Sequence, residues 1–420
     1  MGVYLTTRGW TLLFISLVST LVSFALMEPV YLAAGLAGLG AVIASYFDAK
    51  RGRALIEGAR VSRNARIVRT YEGGKVEMAL KIDMNSPTPS DLSGKILVAE
   101  KLPPRVEPES DDLVEARQVD RGFAAAYTLK PWMGKNSLSD IEILYLAPLG
   151  LSVATRIVSE PAIIYTYPNP NIEAYTRARL SFHHGSSRPV NRRWPLGSEF
   201  LELREYVEGD DPRLIHWPST ARLGQLVVRE HALESRVNAH VVLDHSLDMW
   251  VGTPGHAPID HGGRTALSLA SIAFESGGTF GLHLFDGWKC HYAVKPYSAT
   301  LSEIYTVLST LEPGYGRSPA ELRKCIRMAS SRAEGKALVV ISGPGRGVRE
   351  LASSFQSLLP AVHPLKMLIL HPPTGSTPEE AAVRQLILSQ TAQLRNPSFY
   401  VVQWPESLFK FIALSEVLVI

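Results

Sequence analysis

The side chains best suited to chemistry in this sequence follow a run of buried-strand character at residues 239–243. Asp244, Ser246 and Asp248 alternate along the turn that comes next, which would bring two carboxylates and a hydroxyl toward one point. Hard oxygen ligands of this kind suit Mg²⁺ or Ca²⁺. The pattern therefore predicts a candidate magnesium site. The alternative is that Asp244 caps the turn and Ser246 satisfies nearby backbone groups.

This turn resembles the metal-ion-dependent adhesion site of von Willebrand factor A domains, which has the pattern D-x-S-x-S. The resemblance implies two further ligands, a distant Thr and an Asp after the fourth strand. Ser318 is the best candidate for the first, whereas the fourth strand ends in Ser342 and Gly343 and offers no Asp. Asp248 stands where a second Ser is usual, and its carboxylate would partly compensate for the missing one.

The sequence contains no spacing typical of an established catalytic site. It has no P-loop, no G-x-S-x-G motif and no Cys–His pairing supported by spacing. A metal-assisted hydrolase using Asp244 and Asp248 is the enzyme alternative, but spacing identifies no general base for it. We therefore expect a binding protein and not an enzyme.

The densest mixture of charged and aromatic residues lies at residues 197–230, before the strand that ends at Asp244. Such a segment can be ordered if its arginines form bidentate pairs with carboxylates. The residues expected to pair are Arg204, Arg213 and Arg222 with Glu202, Glu205, Asp210 and Asp211. The aromatic side chains would then bury against the neighbouring domain.

The same stretch resembles the bacterial and archaeal domain-of-unknown-function family 58. The hallmark of that family has the form E-F-x-x-L-R-x-Y-x-x-G-D-D-x-R-x-I-x-W-x-x-x-A-R-x-G-x-L. The matching residues here are Glu199, Phe200, Leu203, Arg204, Tyr206, Gly209, Asp210, Asp211, Arg213, Ile215, Trp217, Ala221, Arg222, Gly224 and Leu226. His216 and Pro218 depart from the residues usual at their places. The resemblance extends over nearly the whole chain, including the motif at residues 147–151.

The resemblance implies a protein that works with a MoxR-type AAA+ ATPase in the maturation or assembly of other proteins. Together with the architecture and the lack of catalytic groups, this leads us to expect a membrane-anchored adaptor that binds the ATPase or its client. The resemblance implies no established catalytic activity. Two compatible roles are open for the stretch: a network that specifies the fold, and a docking surface for a partner. The candidate residues for both roles are Glu199, Arg204, Tyr206, Gly209, Asp210, Asp211, Arg213, Trp217 and Arg222. A structural component of the cell envelope is a further alternative.

Two uncharged runs, residues 11–27 and 29–47, precede all these motifs. Each approaches the roughly 20 apolar residues that a membrane-spanning helix needs. Glu28 is costly inside a bilayer, and a proline follows it, so the two runs predict a helical hairpin. Ala34 and Gly38 are expected to let its two helices approach closely.

Basic residues follow the second run directly, at Lys50, Arg51 and Arg53. By the positive-inside rule, both ends of the hairpin are expected in the cytoplasm, with the soluble domains. The alternative is a secretory signal peptide, which would leave the second run as the anchor and change the orientation.

The rest of the chain divides by its periodicity. We expect a transmembrane hairpin at residues 1–55, a β-sandwich at 56–167, a connector at 168–234 and a von Willebrand factor A-like domain at 235–420. Short strands between turn signals indicate the sandwich. In the last domain, strands alternate with helices at 265–276, 301–311, 319–333, 347–359 and 378–394, which predicts a doubly wound α/β fold with a mainly parallel sheet.

Composition narrows the class of protein further. A chain of 420 residues with a net charge of +3 fits two or three domains and has no nucleic-acid signature. Its two cysteines, Cys290 and Cys325, lack metal-ligand spacing. We expect them to be buried thiols, which permits a reducing compartment.

Overall fold

The structure, a computed structural model, describes residues 2–84, 94–111, 113–119, 122–170, 199–232, 238–316, 318–333, 337–342, 365–370 and 399–402. The helices expected at 347–359 and 378–394 lie outside these residues. The chain divides into two compact units, Met1–Tyr167 and Pro168–Ile420, and each is described by itself.

The first unit contains two long apolar helices, α1 (Thr7–Leu26) and α2 (Pro29–Gly58). Both are long and apolar enough to cross a membrane, and most of their surface is exposed. The predicted pair of helices is therefore present. Helix α2 extends well past the apolar run, because its charged last turns pack against the rest of the unit.

Small residues bring α1 and α2 together. Gly35 is buried against Thr20 and Ser16, and a Cβ at Gly35 would lie 2.8 Å from the carbonyl oxygen of Ser16. A Cβ at Gly38 would overlap the Ser16 hydroxyl. Ala34 is exposed, so the expectation that Ala34 forms the contact is wrong. The buried residues of α2 lie three, four or seven positions apart, as Gly35, Val42 and Ser45 do, and Ala34 lies one position out of that phase.

Two β-sheets form the rest of the first unit. One has the order β1-β11-β10-β5-β7, with β3 paired to β11, and the other has the order β2-β4-β9-β6, with β8 paired to β9. The strands are β1 (Gly2–Leu5), β2 (Arg60–Arg63), β3 (Ile67–Tyr71), β4 (Val76–Asp83), β5 (Lys95–Glu100), β6 (Val106–Pro108), β7 (Val114–Glu115), β8 (Arg117–Val119), β9 (Gly122–Pro131), β10 (Gly134–Leu146) and β11 (Ser152–Tyr167). Side chains from both sheets share one hydrophobic core.

A buried polar cluster joins the two sheets. Arg63 on β2 lies 2.5 Å from Glu100 on β5, and both side chains are almost fully buried. Arg63 also donates to the Tyr127 hydroxyl at 2.9 Å and to the Glu160 carbonyl at 2.7 Å. Burial and the Glu100 carboxylate raise the pKa of Tyr127. We call Arg63, Glu100 and Tyr127 the sheet clamp.

The helical hairpin formed by α1 and α2 is connected to the sheets by hydrogen bonds at both of its ends. Strand β1 pairs with the first residues of β11, directly before α1 begins. At the other end, the Tyr145 hydroxyl donates to Asp48 of α2 at 2.8 Å, and Arg156 donates to the carbonyls of Ile56 and Ala59. Both ends of the helical hairpin therefore contact β11.

The second unit contains a small antiparallel hairpin and an α/β sheet. The hairpin module, residues 199–232, consists of β12 (Glu199–Glu205), the short helix α3 (Trp217–Leu223) and β13 (Val227–Ala232). Strands β12 and β13 pair along their length with one irregularity.

The six-stranded sheet that follows has the order β16-β15-β14-β17-β18-β19. Its neighbours are parallel except β16, which lies antiparallel at the edge. The elements are β14 (Ala239–Asp244), α4 (Pro258–Glu275), β15 (Phe280–Phe285), β16 (Cys290–Val294), α5 (Leu301–Ser309), α6 (Pro319–Ala333), β17 (Ala337–Ser342), β18 (Leu365–Leu370) and β19 (Phe399–Val402). The mainly parallel sheet agrees with the alternating pattern of the sequence, because strands buried on both faces are almost continuously apolar.

The expectation of two thiols is wrong. Cys290 on β16 and Cys325 on α6 form a disulfide, with Cα atoms 5.3 Å apart. Their separation of 35 residues gives no local signal of pairing. The edge strand and the helix packed beside it bring the two side chains together.

Candidate functional site

The predicted site at the end of β14 is a hydrogen-bonded, buried carboxylate. Asp244 Oδ1 accepts the Ser246 N–H at 2.9 Å, and Oδ2 accepts the Ser342 hydroxyl at 2.7 Å. Burial raises the pKa of Asp244, and the hydrogen bonds from Ser342 and Ser246 only partly oppose that shift. The structure thus brings Asp244 and Ser246 together, as the alternation of the sequence predicts.

The other two predicted ligands have different settings. Asp248 lies in a 3₁₀ turn, Leu247–Trp250. Ser318 accepts the Glu321 N–H at 3.4 Å at the start of α6 and donates its own N–H to the Gly287 carbonyl at 3.1 Å. Among the described residues, no group of three or more His, Cys, Asp or Glu side chains is arranged to hold a metal. The geometry around Asp244 favours a structural carboxylate, and magnesium binding stays a prediction.

A second carboxylate, at the end of β15, is engaged by backbone. Asp286 accepts the N–H groups of Trp288 and Lys289 at 2.8 and 2.6 Å, and His291 lies 3.6 Å away. Although partial burial opposes it, these two N–H groups hold the pKa of Asp286 below its ordinary value. Its role is therefore to fix the turn between β15 and β16.

The hairpin module contains the bidentate pair that its composition predicts. Arg204 Nη1 and Nη2 lie 2.7 and 2.8 Å from the two carboxylate oxygens of Asp210. Asp210 also accepts the Val207 N–H at 2.9 Å. The Arg204 guanidinium lowers the pKa of Asp210. This pair closes the turn after β12 and supports the role of specifying the fold.

Several other residues of the family pattern hold the same turn. Gly209 has a φ of +109°, a conformation that favours glycine. Asp211 accepts the Arg213 N–H at 3.0 Å, and the Tyr206 N–H donates to the Leu226 carbonyl at 2.9 Å. The side chains of Arg213 and Arg222 are exposed. The backbone of Glu199 begins β12, and its side chain lies outside the described atoms.

The module also leaves large apolar side chains exposed to solvent. Trp217, at the first position of α3, is 65% exposed. Among the module residues whose side chains the structure describes, the other large apolar residues that are exposed are Leu203, Val207, Leu223 and Leu226. We call these five residues the exposed apolar set. The expectation that Trp217 buries against the sheet domain is therefore wrong, because α3 presents it to solvent.

Sequence reasoning missed two features of these sites. The sequence identifies Ser342 only as the residue that stands where an Asp is usual, yet its hydroxyl donates to Asp244. The signal was its position at the end of the fourth strand, since adjacent parallel strands end at the same edge. The exposure of Trp217 has no signal in the sequence, because an aromatic residue among charges fits both a buried and an exposed position.

The hairpin module and the first strands of the α/β sheet share one family pattern. Residues 202–344 match the family model described as Protein of unknown function DUF58. The match supports the resemblance to domain-of-unknown-function family 58 on residues outside the two apolar helices. No curated protein matches the chain.

Solved structures show only remote likeness. The BIgI domain of beta protein from S. agalactiae is 12% identical, with a TM-score of 0.15, covering 26% of this chain and 95% of that one. A cohesin module from Clostridium perfringens is 14% identical, with a TM-score of 0.15, covering 26% and 97%. A family two carbohydrate esterase from Cellvibrio japonicus is 8% identical, with a TM-score of 0.19, covering 85% and 96%. At these TM-scores the likenesses have no bearing on fold or function.

Proposed function

We propose that this protein is a membrane-anchored adaptor that binds another protein through its hairpin module. The exposed apolar set is the observation that carries the proposal. An exposed tryptophan is a typical hot-spot residue, because its burial by a partner removes a large apolar area from water. The partner is a MoxR-type AAA+ ATPase or its client, and the resemblance to family 58 supports this choice.

The two apolar helices support the anchor. Many large apolar side chains are exposed on the helical hairpin formed by α1 and α2, among them Phe14, Leu21 and Phe24. A continuous apolar surface of this size is costly in water and stable in a bilayer. Helix α1 has 20 residues, about 30 Å of helix, which equals the thickness of the hydrocarbon layer.

Two features give opposite indications of the side on which the soluble units lie. Lys50 and Arg51 are exposed just beyond the apolar part of α2 and favour the cytoplasm. The Cys290–Cys325 disulfide is typical of an oxidising compartment. We propose the cytoplasmic side, because charges next to a span act directly on its insertion, whereas disulfides persist in the cytosol of some organisms.

The α/β domain is proposed to be von Willebrand factor A-like. In chain order its strands lie 3-2-1-4-5-6, with the third antiparallel at the edge, which supports the proposal. Ligands bind beyond the carboxyl ends of the strands in sheets of this kind. The carboxyl ends of these strands form the edge of the sheet that carries Asp244, and we propose this edge as a second place for a client to bind.

Co-elution with a purified partner tests the adaptor role. The full chain in lipid nanodiscs should co-elute with the MoxR-type ATPase of the same source, and not with an unrelated AAA+ ATPase. The full chain is needed because β1 and the last turns of α2 belong to the sheet unit. Absence of co-elution with and without nucleotide would reject this partner.

A further inference from the structure

The turn between β10 and β11 presents an unusual leucine. Leu149 is 77% exposed and has a φ of +65°, a left-handed backbone conformation that leucine rarely adopts. Its turn, Pro148–Gly150, is closed by the Gly150 N–H, which donates to the Ala147 carbonyl at 3.0 Å. A strained backbone that displays a large apolar side chain in water is a reason to look for a binding partner.

This turn is fastened to the start of α1. The Thr6 hydroxyl donates to the Gly150 carbonyl at 2.6 Å, and the Thr6 N–H donates to the Leu151 carbonyl at 3.0 Å. Thr6 is also the N-cap of α1, since its hydroxyl accepts the Gly9 N–H at 3.1 Å. A Cβ at Gly9 would overlap the Leu151 carbonyl, so the helix and the turn are in direct contact. Leu149 therefore lies at the same height along the axis of α1 as the first turn of that helix.

The residues near this height along the helix axis are of the types that are common at a membrane surface. Trp10 of α1 and Tyr46 and Phe47 of α2 are exposed, and the pairing of Gly38 with Ser16 places these aromatic residues within about one turn of each other. Exposed basic residues, Arg8 and Lys50, flank them. Aromatic and basic side chains in this order mark the boundary between lipid tails and headgroups.

We infer that the Leu149 turn inserts into the interfacial layer of the phospholipid bilayer, so that the sheet unit rests directly on the membrane. The inference rests on the proposed anchoring by α1 and α2 and adds a third contact to it. The occupant is lipid because the turn is continuous with the surface through which α1 would enter the bilayer. Neighbouring Arg8 and Lys50 are complementary to anionic phosphates.

A polarity-sensitive fluorophore on single introduced cysteines tests this contact. The native cysteines are paired, so Leu149→Cys, Ile67→Cys and Leu36→Cys each provide one free thiol. Ile67 is a matched control: it is 59% exposed and pairs with Ile163, about 36 Å along β11 from Ser152. Leu36 lies exposed in the middle of the apolar part of α2 and reports the anchor itself.

The full chain is placed in nanodiscs at one copy per disc, with quencher lipids labelled near the headgroup or in mid-chain. We expect at least twofold quenching of the probe at position 149 by the shallow quencher, none at position 67, and quenching at position 36 by the mid-chain quencher. Quenching at 36 without quenching at 149 overturns the inference and leaves the anchor intact. Failure at both positions overturns the anchor and the inference together.

Hydroxyl-radical footprinting of the chain without a fluorophore is a second test, which excludes an effect of the label on the turn. Hydroxyl radicals should oxidise Leu149 at least threefold less in nanodiscs than in a detergent that leaves the turn accessible, with Ile67 unchanged. Equal oxidation of Leu149 in both settings would contradict lipid contact. Protection that appears only at several copies per disc would assign the surface to a second copy of the chain and overturn the inference.

Discussion

At the residue scale, Asp244 shows how far local spacing reaches. Its hydrogen bond with Ser246 follows from residues two positions apart. Its second partner, Ser342, is 98 positions away and is brought near by the pairing of β14 with β17. The sequence could therefore place the carboxylate on the sheet edge, but it could not show that both of its oxygens are already engaged.

Magnesium and pH test the state of Asp244. If Asp244 is held only by its hydrogen bonds, the wild type should melt at the same temperature with and without Mg²⁺. A higher melting temperature of the wild type with Mg²⁺, absent in Asp244→Ala, would establish a magnesium site. Because burial raises the pKa of Asp244, the folded state binds the proton of this carboxyl more tightly than the unfolded state does. Relative to Asp244→Asn, the wild type should lose stability as pH rises from the ordinary Asp pKa through the raised one. A pH-independent difference in unfolding free energy would contradict this.

The sheet clamp is the second feature that residue spacing could not reveal. Glu100→Ala leaves the Arg63 guanidinium buried without its carboxylate, so we expect the unfolding free energy to fall by about 3–5 kcal/mol. Glu115→Ala is the control, since it breaks an exposed pair with Lys95 and should cost about 0–1 kcal/mol. Denaturant unfolding measures both, and equal losses would show that the clamp has no special role.

At the scale of elements, strands and helices were predicted where one segment carries its own periodicity. The residues of β14, predicted as a buried strand at 239–243, have such a pattern. Strands β10 and β11 do not have one over their full lengths, because their outward-facing polar residues resemble turns until a partner strand pairs with them. Strand β1 has no recognisable pattern of its own, and its pairing with β11 depends on the tertiary structure.

The helical hairpin gives a matched pair of glycine substitutions. Gly35→Leu should separate α1 from α2, since even a Cβ meets Thr20 and Ser16, whereas nothing lies within 4 Å of a Cβ at Gly40. We expect Gly35→Leu to destabilise the hairpin by about 1–3 kcal/mol and Gly40→Leu to be nearly neutral. Unfolding in mixed micelles that contain an increasing fraction of a denaturing detergent measures the stability of both variants. Equal midpoints would contradict the observed helix contact.

At the scale of the whole molecule, the Cys290–Cys325 disulfide links stability to the cell compartment. In the chain-entropy model, closing 35 residues stabilises the fold by roughly 3–4 kcal/mol. Protein purified under alkylating conditions should show no free thiols, and Cys290→Ser with Cys325→Ser should lower the unfolding free energy by about that amount. Two alkylated thiols in freshly purified protein would mean that the bond does not form in the cell.

The central claim, that the hairpin module holds a partner for a membrane-anchored chain, is tested most directly by affinity for the purified ATPase. Trp217→Ser with Leu223→Ser should weaken binding of the full chain in nanodiscs at least 30-fold, about 2 kcal/mol, with the melting temperature unchanged. Tyr315→Ser, at an exposed aromatic position outside the module, should leave the affinity unchanged. Equal affinities for all three proteins would contradict the claim.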